Sequence, residues 1–106
     1  MTASKFISNE KQKLISTLEL YLAGACPHSS VQETINQIFT AWELVTNKDS
    51  AYEKNEETFW CAVWSTQHLA TEDHWRDGVT QKDLTTILHS LKEHADLPEG
   101  WSGKRP

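Results

Sequence analysis

His68, Glu72 and His74 lie close together in the chain and have the side chains best suited to hold a metal ion or move a proton. His68 and Glu72 are four residues apart, which would put them on one helical face within reach of a single ion. Cys61 lies on nearly the same side, but seven residues correspond to about 10 Å of helix axis. His74 points about 120° away from His68 at the helical repeat. His89 and His94 are five apart and also diverge. The chain has no HExxH, no CxxC and no paired Glu-x-x-His. Glu72 also has a plainer partner in Arg76, one turn on. No cofactor or metal is therefore expected. A helical metal- or cofactor-binding enzyme using His68, Glu72 and His74 stands as the alternative reading.

Nucleophilic chemistry has two candidates, Cys26 and Cys61. Reactive thiolates favour helix N-termini and cationic surroundings. Cys61 lies inside an apolar stretch with acids upstream, so it reads as a buried, inert thiol. Cys26, in a loop beside Pro27 and His28, reads as the more exposed one. There is no glycine-rich phosphate loop and no G-x-S-x-G motif. No catalytic residue is assigned, and the chain is not expected to be an enzyme.

Charge and aromatics carry more. The net charge is −5. Between Glu43 and Asp77 eight acids face three bases, and the remainder of the chain is balanced. Such a field opposes direct nucleic-acid binding and suits a basic protein partner. Five tryptophans are more than a small domain buries completely, because each indole N–H needs an acceptor. Trp75 lies among Glu72, Asp73, His74, Arg76 and Asp77, a setting that favours exposure. Exposed tryptophan next to one-sign charge resembles an interface anchor with a steering field. The expected partner-binding face is Glu53, Glu56, Glu57, Glu72, Asp73, His74, Trp75, Asp77 and Trp101. The expected function is a small acidic binding protein, such as an inhibitor or immunity protein that neutralises a basic toxin or nuclease. A third reading is a self-associating structural module, a homodimer whose tryptophans meet across a two-fold axis.

These residues need helices to position them. Asn55 as cap and Glu56 and Glu57 in the first turn open a helix that Gly78 would close. Phe59, Trp60, Ala62, Val63 and Trp64 leave it apolar over most of its circumference, so it reads as a central, buried helix with Trp64 in the core. The first helix lies between Ser4 and Ala23, with Ser4 and Ser8 competing as cap. Leu14, Leu18, Tyr21 and Leu22 form its stripe, and Gly24 closes it. Ser30 and Glu33 form a capping box for the second, whose face is Val31, Ile35, Ile38, Phe39, Trp42 and Val45; Asn47 ends it. The fourth starts at Thr80, with Leu84, Ile87, Leu88 and Leu91 inward.

No segment alternates with period two, so the expected fold is an all-α bundle of about four helices with short loops. At 106 residues it reads as one domain, 1–106, with 97–106 an extended tail on the bundle that Trp101 pins. No apolar run approaches the length of a membrane span, and the polar N-terminus has no signal-like core. Two cysteines are too few for a disulfide framework, and a cytoplasmic setting is expected. Neither metal nor disulfide is needed for stability on this reading. Thermal unfolding should therefore be indifferent to EDTA and to reductant. A midpoint drop above about 5 °C with chelator, on the order of 1 kcal/mol, would contradict it.

Overall fold

The computed structural model describes residues 2–52, 56–70, 78–93 and 103–106, with the backbone alone for 69–70, 78–80 and 93. Four helices are found there: α1 (Ala3–Leu22), α2 (His28–Trp42), α3 (Glu56–Ala70) and α4 (Gly78–Glu93). No strand occurs among the described residues, so the fold is the all-α bundle the periodicity predicts. Each helix packs on its neighbours in sequence, and α1 packs on α4 to close the ring. Contact between α1 and α3 runs across the diagonal and is slight. No helix among the described residues is long and apolar enough to cross a membrane.

The helix ends show where local grammar was overruled. Thr2, not Ser4 or Ser8, caps α1, its Oγ1 accepting from Lys5 N at 3.3 Å. Asn47 Oδ1 accepts from Ala3 N at 2.7 Å. Asn47, expected to end the second helix, thus satisfies one of the orphan donors of the first. Gly24 closes α1 as expected. Its φ of 76° is the left-handed conformation that glycine adopts without penalty. Gly24 N donates to Tyr21 O at 3.0 Å and Ala25 N to Leu20 O at 2.8 Å, the pair of bonds that defines a Schellman end.

The capping box expected from Ser30 and Glu33 does not form. Pro27, extended at φ −78° and ψ 164°, precedes a helix that already starts at His28, and no side chain caps it. Proline's fixed φ sets the start three residues early and leaves Ser30 inside the first turn. At the other end α2 stops at Trp42, before Asn47. Leu44 N and Val45 N then bond to Ala41 O and Trp42 O, a tighter turn that leaves Val45 buried and Leu44 68% exposed. Gly78, read as the stop of the third helix, instead opens α4. The expected caps and last turn at Asn55 and Arg76 lie outside the described residues.

The predicted stripes face inward. Leu14, Leu18 and Tyr21 of α1, Val31, Ile35, Ile38 and Trp42 of α2, and Leu84, Ile87 and Leu91 of α4 are buried. Phe39 and Leu88 are partly buried at the edge of the core. Phe59, Trp60, Cys61, Ala62 and Val63 are buried in succession, as expected of a central helix. Trp64 is the exception. Expected in the core, it is 38% exposed.

Phe6 is the hub. Its ring centroid lies 5.3 Å from Trp42, 5.9 Å from Phe59 and 5.7 Å from Trp60. Trp42 and Trp60 meet edge to face at 5.1 Å. Three helices therefore share one aromatic cluster, with ring geometries that add to area burial. Phe6→Ala should cost about 3–5 kcal/mol in denaturant unfolding. Leu44→Ala, on an exposed turn, should stay within about 0.5 kcal/mol of the parent. Equal effects would remove Phe6 from the centre of the core.

Candidate functional site

The site begins with an acid at a helix start. Glu56 is the first residue of α3, where the dipole favours negative charge. Expected to be an exposed member of the acidic face, it is 0% exposed. That reading is corrected because a cation reaches it from the far end of the chain. Arg105 Nε donates to Glu56 Oε2 at 2.5 Å and Nη2 to Oε1 at 2.9 Å, a side-on bidentate pair. Trp60, one turn along α3, donates its indole N–H to Glu56 Oε2 at 3.0 Å.

The rest of the guanidinium meets the α2–α3 connection. Arg105 Nη1 donates to Lys48 O and to Ser50 O, each at 2.7 Å. Nη2 donates to Ala51 O at 3.3 Å. A guanidinium has five N–H donors, and every one has an acceptor here. The cation also lies 4.5 Å from the Tyr52 ring centroid and 5.6 Å from that of Trp42. Aromatic faces attract a cation most when water is excluded, and the Arg105 side chain is only 8% exposed.

The backbone of the tail is held too. Arg105 N donates to Tyr52 Oη at 3.0 Å. Trp64 Nε1 donates to Lys104 O at 2.8 Å. This is why Trp64 stands at the rim: its indole N–H serves the tail while its ring lies against Phe39, centroids 5.0 Å apart. Gly103 is buried against the backbone of α3. A Cβ there would lie 2.6 Å from Cys61 Cα and nearer still to Cys61 N and Trp60 C. Only glycine permits this approach.

Of the residues expected to bind a partner, Glu57 is exposed on α3 as anticipated. Glu53, Glu72, Asp73, His74, Trp75, Asp77 and Trp101 lie outside the described residues. His68 is exposed on α3, while its proposed companions Glu72 and His74 also lie outside. Among the described residues no group of three metal-ligating side chains comes together. Cys61 is buried, and burial pushes its thiol above the ordinary value, against a smaller lowering by the Ser65 hydroxyl. A raised thiol has little thiolate at neutral pH. Cys26 is half-buried, with Sγ 3.9 Å from Thr17 O. A shallow cleft of about 390 Å³ between α1 and α2 is lined by Gln12, Lys13, Ser16, Thr17, Thr34 and Gln37, none of them a strong nucleophile or paired acid.

Sequence reading missed Arg105, Tyr52 and Gly103 altogether. One signal was present: Glu56 and Trp60 are four apart, so the acid could serve the indole. Nothing local pointed to Arg105, 49 residues away. Comparison with protein-family models, curated proteins and solved structures finds no match for this chain.

A buried carboxylate that loses its cation is left uncompensated, at about 3–5 kcal/mol. Arg105→Ala should therefore destabilise by that order. Glu56→Gln and Arg105→Ala together should cost at least about 1 kcal/mol less than the sum of the two, as for groups in one network. Additive effects in a double-mutant cycle would mean the pair is not coupled in solution.

Proposed function

We propose that this chain is a small binding protein that engages a basic protein partner, such as an inhibitor or immunity protein that neutralises a basic toxin or nuclease in the cytoplasm. One observation carries the reading. The start of α3 and the preceding connection form a cleft whose carboxylate, carbonyls and aromatic faces all suit an arginine. Around it stand exposed apolar groups: Tyr52, 42% exposed, and Trp64, 38% exposed. The exposed acids Glu43, Asp49 and Glu57 lie on the same connection and on α3. Charge of one sign speeds encounter with a basic surface, and aromatic side chains supply buried contact area.

The test separates the two contributions. Immobilised intact chain should retain basic proteins from lysate, and added salt should weaken their capture. With a purified partner, Asp49→Lys with Glu57→Lys should slow association and flatten its salt dependence. Trp64→Ala should instead speed dissociation, by about tenfold or more if it is an anchor. Capture that favours acidic proteins, or that ignores salt and both sets of substitutions, would refute the proposal.

A further inference from the structure

The tail supplies the pattern of a ligand. Gly103 fits where no Cβ can, Lys104 presents its carbonyl to Trp64, and Arg105 fills the cleft while its own N–H reaches Tyr52. Lys104 itself is exposed. We propose that this cleft is a recognition site for extended segments of sequence Gly-x-Arg, which the chain fills in cis with Gly103, Lys104 and Arg105, and which a basic partner fills in trans by displacing them. The inference deepens the partner reading above and rests on it for the origin of the competing segment.

Each position has a physical reason. The glycine is demanded by the α3 backbone at Trp60 and Cys61. The middle residue contributes a main-chain acceptor, so its side chain is unrestricted. Arginine rather than lysine is required, because a planar fork is needed to meet Glu56 through two nitrogens and three carbonyls besides. An ammonium has three donors and cannot span that set.

Tethering makes the tail a threshold. A segment carried on the same chain can compete at an effective concentration in the millimolar range. A lone Gly-x-Arg peptide therefore competes poorly with it. A protein that also covers Tyr52 and Trp64 gains the extra contact needed to win. The tail would then exclude small arginine-containing peptides and admit a folded partner.

The experiment empties the cleft within the intact chain. Gly103→Ala with Arg105→Ala removes both the fit and the cation. A capped peptide carrying residues 103–106 should then bind saturably, followed by calorimetry. The same peptide with alanine for its glycine, or lysine for its arginine, should bind at least about tenfold more weakly. Absent binding, or equal binding by all three, would overturn the inference. Should the double variant fail to fold, the intact chain gives the same ranking. The first peptide, raised well above the millimolar effective concentration of the tail, should hasten hydrogen exchange at the Arg105 amide as the cis tail is displaced, and the other two should not. Equal exchange with all three would again overturn it. Loss of the peptide result with salt-dependent capture retained would remove this cleft and leave the basic-partner reading standing.

Discussion

Arg105 and Glu56 are taken out of water together, and each exists in that position only because of the other. Removing a carboxylate and a guanidinium from water costs several kcal/mol per ion. Their mutual attraction offsets this only if the remaining donors are satisfied as well. Here they are, by carbonyls of Lys48, Ser50 and Ala51. Those carbonyls are available because α2 ends at Trp42 and the chain leaves helical geometry before α3 begins. The irregular connection thus supplies the carbonyl acceptors, α3 supplies the carboxylate, and the tail supplies the cation that they hold.

This explains which parts of the molecule were legible. Val31, Ile35, Ile38 and Trp42 announce a helix because their spacing is a local property, and burial follows it faithfully. Helix ends were less legible, because competing local signals have similar strength. Pro27 outbid Ser30 for the start of α2, and Gly78 opened a helix rather than closing one. Exposure was least legible. Glu56 looks like a solvent-facing dipole acid from its neighbours, and nothing within a helical turn reveals a cation 49 residues away. Trp64 failed for the mirror reason. Its apolar neighbours suggest the core, but its N–H has a main-chain acceptor, Lys104 O, only at the rim.

The tryptophans divide by what satisfies their N–H groups. Trp60 is fully buried because Glu56 accepts its proton within the same helix. Trp64 stays at the surface because its acceptor belongs to the tail. Both indoles therefore report on the same docking event from opposite sides, one through the carboxylate that Arg105 grips and one through the carbonyl of Lys104.

Salt should act on the two kinds of charge differently. Exposed Glu43, Asp49 and Glu57 interact across solvent and are screened beyond about 8 Å at physiological ionic strength. The Arg105–Glu56 pair has water excluded from it, with side chains 8% and 0% exposed, so mobile ions hardly reach it. In the partner binding proposed above, the surface acids would govern how quickly a basic chain arrives, and the buried acid what can remain. Because Glu56 is matched by Arg105, it adds nothing to the long-range field while the tail is in place. Its charge is felt only by a segment that has begun to take the tail's position. On the proposed binding mode, attraction at a distance and discrimination at contact would therefore vary independently, the first through the surface acids and the second through Gly103, Arg105 and the cleft they occupy.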